Sequence, residues 1–258
     1  MPTTLLASSH DVANRGTARD DVPRHGVAKG RGVTEVAEQV TELTVGVFGG
    51  TGPQGKGLAL RWAKAGIKVV LGSRSAERAE DTAAELRELA GVPNVIGMSN
   101  ERAAVEADLV LVAVPWEGHS ALLEALREPL VGKIVIDCVN PLGFDKRGPF
   151  ALPVEEGSAA EQAFALLPES RVTAAFHHVS AVLLLDLGVS ELDCDVLVLG
   201  DDREATDTVR ALAETIPGFR GIYGGRLRNA HQVEAFTANL IAINRRYKAH
   251  SGIRVTDV

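Results

Sequence analysis

Cysteine, aromatic residues and long apolar runs are all scarce in this sequence of 258 residues. The two cysteines, Cys138 and Cys194, lie far apart and form no C-x-x-C pair. This pattern disfavours a disulfide scaffold or a zinc site, and it predicts two small buried side chains in a reducing cytoplasm. No run approaches the roughly 18 apolar residues of a membrane span, and we expect neither a signal peptide nor a membrane partner.

Basic charge is also in short supply, because 27 Lys and Arg face 34 Asp and Glu, a net charge of -7. Nucleic acid is therefore not an expected partner. The C-terminal end is the exception: its basic residues are Arg220, Arg226, Arg228, Arg245, Arg246, Lys248 and Arg254, against Glu234 and Asp257. This pattern is typical of a field that captures a polyanionic ligand, and equally of a solvated helix face.

The order of apolar segments indicates an α/β protein. Residues 1–42 have few large apolar side chains and predict a disordered tail. From Thr44 onward, short β-branched runs alternate with helical patterns; the predicted strands are 44–48, 67–71, 94–98, 109–114, 133–137, 171–176 and 195–199. Apolar strands separated by helices predict a doubly wound parallel sheet, a Rossmann domain, over residues 43–181. Residues 182–258 are predicted to form a smaller, helical C-terminal domain that binds the substrate.

That C-terminal segment contains one long predicted helix at about 226–250. Apolar side chains recur in it at steps of three and four, namely Val233, Phe236, Leu240, Ile243 and Tyr247. Such a stripe needs a partner surface. Packing under the Rossmann domain and a subunit interface are both open, and we expect a homodimer or a higher homo-oligomer.

A glycine-rich loop follows the first predicted strand directly. It reads Gly49-Gly50-Thr51-Gly52-Pro53-Gln54-Gly55 and precedes a helical pattern. The G-x-G-x-x-G spacing at Gly50, Gly52 and Gly55 is specific in this strand-to-helix setting, where it predicts a dinucleotide site. Gly50 is expected to permit the tight turn, Gly52 the approach of the pyrophosphate, and Gly55 close packing of helix and strand.

The end of the second strand predicts NADP rather than NAD. An NAD site usually has an acidic residue there, which holds the ribose 2′-hydroxyl. Here the strand ends in Gly72-Ser73-Arg74, and Arg78 lies one helical turn further on. Guanidinium groups match phosphate geometry, so we expect these residues to bind the 2′-phosphate.

Three histidines are candidates for function. His177 and His178 follow the sixth predicted strand, at the sheet edge where ligands bind. They are suited to orient a ligand or move a proton, and the alternative is a cap on a backbone carbonyl. For His119, which follows Trp116-Glu117-Gly118 at a helix start, we favour a structural role. We find no Ser-His-Asp set and no H-E-x-x-H motif, and expect no metal.

Several motifs together resemble one family, the NADPH:F420 oxidoreductases, also called F420-dependent NADP reductases. They are residues 47–59, Gly72-Ser73-Arg74, Val114-Pro115-Trp116-Glu117 and Gly200-Asp201-Asp202, and the resemblance covers about 44–250. It implies an oxidoreductase with direct, reversible hydride transfer between coenzyme F420, a deazaflavin, and NADP(H), and no certain catalytic side chain.

The resemblance also implies roles for individual residues. The pyrophosphate site would contain Thr51, Gly52, Pro53 and Gln54; the 2′-phosphate site Ser73, Arg74 and Arg78; the nicotinamide side Val114, Asn140 and Ala181; and the deazaflavin pocket Trp116, His177, His178, Val179 and Ser180. The chain departs from the family's pattern at Asn140 and Ser180, where other members carry an aliphatic residue and Pro.

Other functions stay open at this point. An NADP-dependent reductase of a small imine or keto acid, such as a pyrroline-carboxylate reductase, shares the expected architecture. The last predicted helix carries Asn229, Gln232 and Asn239, but Lys248 lies too near its end to favour the related hydroxyacid dehydrogenases. A non-enzymatic NADP(H) sensor predicts binding without turnover. The cytosolic domain of membrane ferric reductases also resembles this fold.

Overall fold

The computed structural model describes residues 39–258. Most of the tail predicted over residues 1–42 lies outside that range. Residues 39–42 are helical or at a helix end, and Val40 is only 1% exposed within the core. The packed part of the chain therefore includes residues that the sequence pattern assigned to the tail.

Ten strands and eight complete helices alternate along the described residues. The strands are β1 (Thr44–Phe48), β2 (Lys68–Ser73), β3 (Val95–Ser99), β4 (Leu109–Val112), β5 (Ile134–Asp137), β6 (Leu142–Asp145), β7 (Gly148–Ala151), β8 (Arg171–Ala174), β9 (Cys194–Gly200) and β10 (Phe219–Gly225). The helices are α1 (Pro53–Lys64), α2 (Ala76–Ala90), α3 (Asn100–Glu106), α4 (His119–Ala125), α5 (Ala159–Leu166), α6 (Ala181–Leu185), α7 (Arg203–Glu214) and α8 (Ala230–Tyr247).

Eight strands form one sheet in the order β10-β9-β8-β5-β4-β1-β2-β3. From β3 to β8 all neighbours are parallel, which is the strand order of a Rossmann domain. The central strands β1, β4 and β5 are buried along their whole length, as apolar strands covered on both faces must be. The predicted fold class is therefore confirmed.

The C-terminal segment extends this sheet. β9 pairs with β8 in the antiparallel sense, and β10 pairs with β9 in parallel. Both strands lie in the range 182–258 that the sequence assigned to a separate domain, and the long helix α8 follows them. The division at residue 181 remains a prediction.

Polar caps explain why many of the helices begin where they do. The N-cap side chain accepts a hydrogen bond from a backbone N–H of the first turn in α2, α3, α5, α6 and α7, and the capping residues are Ser75, Ser99, Ser158, Ser180 and Asp202. Such caps satisfy N–H groups that have no partner within the helix. The helix starts are thereby fixed at the carboxyl ends of the strands, which is where the candidate site lies.

Candidate dinucleotide site and adjoining cavity

The glycine loop is shaped by close backbone contacts. Gly49 has a left-handed backbone (φ 81°), and a Cβ there would collide with the carbonyl of Ala113. The turn therefore needs its left-handed glycine at Gly49, one residue before the Gly50 that the motif indicated. At Gly55 an added Cβ would lie 2.8 Å from the Gly49 carbonyl oxygen, so the expected close packing of helix and strand is present.

Gly52 has the geometry of an open phosphate cradle. It is the N-cap of α1 in an extended conformation, and no side chain caps this helix. An added Cβ would have one atom within 4 Å, the Gly49 oxygen at 3.3 Å, so the space beyond it is free. Uncapped N–H groups and the helix dipole favour an anion, and no acidic residue occupies the first turn. The loop therefore fits a pyrophosphate.

The end of β2 lies directly beside this loop, since Phe48 pairs with Gly72. The Ser73 hydroxyl accepts a hydrogen bond from Ser75 N at 3.3 Å, and Ser75 caps α2. Arg74 and Arg78 are exposed, and neither guanidinium has a hydrogen bond or ion pair with any residue of 39–258. Two free cations beside a phosphate cradle fit a second phosphate group.

A cavity of about 470 Å³ adjoins the loop at the carboxyl ends of β4, β5 and β8. Its lining comes from five places: Gln54 of α1; Ala113, Val114, Pro115 and Trp116 after β4; Cys138, Val139 and Asn140 after β5; His177, His178, Val179, Ser180, Ala181 and Val182 after β8; and Thr237, Leu240, Ile241, Asn244, His250 and Ser251 from α8 onward. Rossmann folds bind ligands at this sheet edge.

The structure divides the predicted site residues into two groups. Those that line the cavity are Gln54, Val114, Trp116, Asn140, His177, His178, Val179, Ser180 and Ala181. Those that lie outside it, on the glycine loop and after β2, are Gly50, Thr51, Gly52, Pro53, Gly55, Ser73, Arg74 and Arg78. The two groups meet at Gln54 and at the contact between Gly49 and Ala113. Their roles toward ligands remain predictions.

The two adjacent histidines differ in their environments. His178 donates from Nε2 to the Asp195 carbonyl at 2.7 Å, which matches the predicted carbonyl cap. Both ring nitrogens of His177 are buried without a hydrogen-bond partner among the described residues. Burial lowers the pKa of His177 to about 4, so its imidazole is neutral at pH 7. The neutral His177 ring is therefore enclosed in the cavity wall, and its predicted role toward a ligand remains a prediction.

Hydrogen bonds hold the segment before His177 in an unusual conformation. Phe176 has a left-handed backbone (φ 64°) and accepts a hydrogen bond from Gln54 Nε2 at 3.1 Å. The His177 carbonyl accepts from Asn140 Nδ2 at 3.0 Å and from Thr237 Oγ1 at 3.1 Å. Strain at a non-glycine residue costs energy that the surroundings must supply. The carboxyl ends of β5 and β8 and the helix α8 are therefore locked together at the cavity.

Buried Arg61 anchors the short helix α6 and thus the cavity wall at Ala181. Its guanidinium donates to four carbonyl oxygens at 2.7–2.8 Å, those of Leu183, Leu184, Asp186 and Val189. Because α6 has only five residues, it has little stability of its own. The cation supplies the anchor that the short helix lacks.

Sequence reasoning expected the C-terminal domain to bind the substrate, but it named no site residue in α8 or after it. Thr237, Leu240, Ile241 and Asn244 follow helical spacing and face the cavity. Of the predicted apolar stripe, Val233 and Leu240 are buried, whereas Phe236, Ile243 and Tyr247 are exposed. The helical spacing of Thr237, Leu240, Ile241 and Asn244, a mixed polar and apolar face, is the sequence pattern that could have indicated this part of the cavity.

The C-terminal segment is fixed by one buried carboxylate. Asp195 accepts hydrogen bonds from Arg220, Arg254 and the Val255 N–H, all at 2.6–2.8 Å. These bonds hold the pKa of Asp195 well below its usual range. Arg226 also pairs with an acid, Asp201. The basic excess predicted for the C-terminal end is thus partly neutralised. The acids that neutralise it, Asp195 and Asp201, lie in the β9 region, before the residues that the prediction considered.

The remaining candidate residues have structural surroundings. His119 is fully buried against Asp137, in line with the favoured structural role. Cys138 and Cys194 are both buried free thiols, as predicted. Among residues 39–258, no group of three or more His, Cys, Asp or Glu side chains is placed to hold a metal ion. No helix in that range has the length and apolar character needed to cross a membrane.

A Rossmann sheet, an uncapped glycine loop, two free arginines and an adjoining cavity are the features of a dinucleotide-binding protein. Comparisons with known proteins narrow this class. Residues 44–141 match the family model described as NADP oxidoreductase, coenzyme F420-dependent. The F420-dependent NADP reductase of Methanothermobacter thermautotrophicus is 41% identical over 85% of this chain and 97% of its own length.

Two further comparisons agree. The F420-dependent NADP reductase of Methanocaldococcus jannaschii is 40% identical over 84% of this chain and 99% of its own. A crystal structure from Arthrobacter sp. FB24, described as an F420-dependent NADP reductase, superposes with a TM-score of 0.71 at 27% identity, and covers 83% of this chain and 99% of that one. The chain belongs to the F420-dependent NADP oxidoreductase family.

Proposed function

We propose that this protein catalyses reversible hydride transfer between NADP(H) and coenzyme F420. The observation that carries the proposal is the cavity of about 470 Å³ between the glycine loop and α8, a volume typical of a ligand site. Relatives about 40% identical along nearly their whole length are named F420-dependent NADP reductases. The family's activity and the position of this cavity beside the glycine loop therefore support the same reaction.

The nucleotide end of the site is proposed to bind NADP through backbone and cationic groups. Thr51, Gly52, Pro53 and Gln54 lie at the start of α1, where free N–H groups favour the pyrophosphate. Ser73, Arg74 and Arg78 lie beside them and are proposed to hold the 2′-phosphate, since neither guanidinium forms an ion pair within residues 39–258. A guanidinium fork there distinguishes NADP from NAD.

The cavity residues are proposed to orient the two rings and to exclude water. When bound, the nicotinamide and the deazaflavin supply the hydride chemistry themselves. The protein must hold the reacting carbons about 3–3.5 Å apart with their faces aligned. Val114, Asn140 and Ala181 are placed to contact the nicotinamide side, and Trp116, Val179 and Ser180 the deazaflavin side. His177 forms part of the cavity wall, where its buried imidazole is neutral at pH 7.

Reduction of oxidised F420 by NADPH takes up one proton together with the hydride, as reduction of an imine or keto acid does, so the choice between these reactions rests on the relatives named F420-dependent NADP reductases. The titratable side chains that line the cavity are Cys138, His177, His178 and His250. With a pKa of about 4, His177 is a poor proton store at pH 7, and burial also lowers the pKa of His178. A non-enzymatic NADP(H) sensor is the other alternative. It predicts nucleotide binding without turnover, so bleaching of F420 by NADPH would exclude it.

Assembly and location are proposals that rest on composition and surface character. Exposed Phe236, Ile243 and Tyr247 on α8 support a homodimer or higher homo-oligomer, because apolar side chains grouped on one face favour a partner surface. Sedimentation velocity tests this, with Ile243→Glu expected to shift the chain toward monomer. Free cysteines support a cytoplasmic location, and the acidic net charge disfavours nucleic acid as a partner.

The activity is tested by the visible absorbance of oxidised coenzyme F420 mixed with purified protein and NADPH. We expect rapid bleaching with NADPH and much slower bleaching with NADH. Tight NADPH binding without bleaching would exclude the proposed reaction and return attention to small imines, keto acids or a sensing role.

A further inference from the structure

A buried polar pair lies directly behind the cavity. His119 is the first residue of α4 and Asp137 the last of β5, and both side chains are 0% exposed. His119 Nε2 lies 2.6 Å from Asp137 Oδ2, and His119 Nδ1 lies 2.9 Å from Gln162 Oε1. The proposed reaction uses neither side chain directly. Their burial and short contacts therefore call for a separate physical account.

The surroundings of Gln162 decide the protonation state of His119. The amide nitrogen of Gln162 lies 3.2 and 3.3 Å from the two carboxylate oxygens of Glu156, so the amide oxygen is the atom that faces His119. Both ring nitrogens of His119 thus face acceptors. A histidine satisfies two acceptors only when both nitrogens carry protons, so the ring is an imidazolium.

The charges around His119 agree with this assignment. Burial alone would lower the pKa of His119, but the Asp137 charge and the hydrogen bonds to Asp137 and Gln162 raise it above its ordinary value. Charged or polar groups face it from each packed element: Asp137 from β5, Gln162 from α5 with Glu156 behind it, and Glu234 from α8. Trp116 lines the cavity, and its ring centroid lies 5.4 Å from that of His119, with an angle of 32° between the two ring planes.

The pair is connected to the cavity through the backbone. Asp137 Oδ1 accepts a hydrogen bond from the Val139 N–H at 3.0 Å, while its Oδ2 binds His119. Val139 and Asn140 line the cavity on the side assigned to the nicotinamide. Asn140 then donates to the His177 carbonyl. A rotation of the Asp137 carboxylate would therefore displace the turn on which the nicotinamide is proposed to rest.

We propose that His119 and Asp137 are positioning residues for the nicotinamide. His119 is held permanently as an imidazolium, and it fixes the Asp137 carboxylate so that the turn Cys138–Asn140 keeps its shape. The proposal rests on the proposed function, because it takes this side of the cavity to bind the nicotinamide of NADP. It assigns His119 a role beyond the structural one that the sequence favoured.

The protonation state of His119 is tested in the wild-type protein, and one variant serves only to assign the signal. Nitrogen NMR of the full chain labelled with ¹⁵N-histidine is expected to show, at pH 7, one imidazolium with two slowly exchanging N–H protons. The His119→Gln spectrum assigns it, since that signal is the one to disappear. A single proton on His119 at pH 7 would overturn the proposal, whatever the substituted proteins do.

Nucleotide binding tests the positioning role, with calorimetric Kd for NADP as the readout. We expect His119→Gln and Asp137→Asn each to weaken NADP about tenfold, with little change in KM for F420. The double variant H119Q/D137N is expected to recover to within about threefold of wild type, because two amides replace the buried ion pair without an uncompensated charge. Failure of the double variant to recover would contradict the role of the paired charges.

Ser170→Ala is the matched control for simple loss of stability. Ser170 is also buried and donates to the Leu130 carbonyl at 2.8 Å, at the opposite end of β8 from the cavity. It is expected to lower the melting temperature without changing NADP affinity. If the His119 and Asp137 variants behaved in the same way, their role would be structural only. Failure of the wild type to reduce F420 would end the proposed function, whereas NADP affinity and NMR would still decide this proposal.

Discussion

The two walls of the cavity are built on different principles. The wall proposed to bind the nucleotide, called the nucleotide wall below, is the glycine loop 49–55 at the end of buried strand β1. An added Cβ at Gly55 would lie only 2.8 Å from the Gly49 carbonyl oxygen. The opposite wall, α8 and the segment after it, is half exposed and is held by a few side-chain anchors such as Asp195 and Thr237. The nucleotide wall is therefore preorganised by the fold itself, whereas the α8 wall depends on individual hydrogen bonds.

The largest expected effect is on the pH dependence of stability, and it tests how the α8 wall is held by Glu234. Buried Glu234 accepts hydrogen bonds from the Ala159 and Ala160 N–H groups at 2.9 and 3.1 Å, and burial raises its pKa to about 7 from 4.5. A raised folded-state pKa stabilises the fold below about pH 4.5 and loses that contribution as the pH rises through 7.

Wild type should therefore lose about 3 kcal/mol relative to Glu234→Gln between pH 4.5 and 8, since one pKa unit equals about 1.4 kcal/mol. Urea unfolding of both proteins across this range measures the difference. The amide adds a constant offset, so the pH-dependent part is the informative quantity. If the free energies of unfolding of the two proteins changed in parallel with pH, Glu234 would be ionised throughout. That result would contradict a pH-sensitive contribution of Glu234.

The next largest effect is expected on NADP affinity when the glycine loop is displaced. Gly55→Ala places a Cβ against backbone atoms of Gly49 and Gly50 that have no freedom to move. A displacement of the loop near 1 Å is expected to weaken NADP about a hundredfold. Gly118→Ala serves as the control, because nothing lies within 4 Å of its added Cβ. Equal NADP affinity in both variants would contradict the rigid-wall account.

Arg74→Ala tests whether the same wall distinguishes the two nucleotides. A charge-assisted hydrogen bond is worth about 1.5–3 kcal/mol, so NADP affinity should fall roughly ten- to a hundredfold while NAD affinity is unchanged. Calorimetric titration with both nucleotides gives the comparison. Arg102, exposed on the first turn of α3, provides a matched Arg→Ala control. An equal loss for NADP and NAD would remove the 2′-phosphate assignment.

The smallest effect concerns the α8 wall. Arg254→Ala removes one of the two cations on Asp195 and loosens the segment that carries His250 and Ser251. We expect KM for F420 to rise about fivefold with NADP affinity unchanged, because this wall lies opposite the glycine loop. Steady-state kinetics and NADP titration measure the two effects, and Arg246→Ala on the exposed helix end is the control. A loss confined to NADP would reverse the assignment of the walls.

The geometry of the glycine loop and of the end of β2 was predictable from sequence because its requirements are local, whereas the roles of these residues toward the nucleotide remain predictions. Glycine spacing, a strand-to-helix junction and the Ser73-Arg74 pair each express a constraint within a few residues. The Ser75 N-cap and the left-handed Gly91 C-cap of α2 are local features of the same kind. The strand β10 was missed since its sequence FRGIYGG is rich in glycine, and its place in the sheet depends on pairing with β9.

The α8 wall was not predictable because it forms through distant contacts. Thr237 reaches a carbonyl 60 residues earlier in the chain, and the Val255 N–H reaches a carboxylate at a separation of 60. Nor does the sequence around Asp137 announce its pairing with His119, since the two residues meet only after β4 and β5 are side by side. Such contacts have no periodicity or spacing that a sequence pattern can express.

The central claim is direct hydride transfer between NADPH and F420 bound in one cavity. An isotope label tests this claim most directly. Protein, oxidised F420 and NADPH deuterated on the transferring face of nicotinamide C4 are mixed in ordinary water, and the reduced deazaflavin is examined by mass spectrometry. The account predicts that the deuterium appears on the reduced deazaflavin without dilution by solvent protons. Reduced F420 that carries only solvent hydrogen would contradict direct transfer within one cavity.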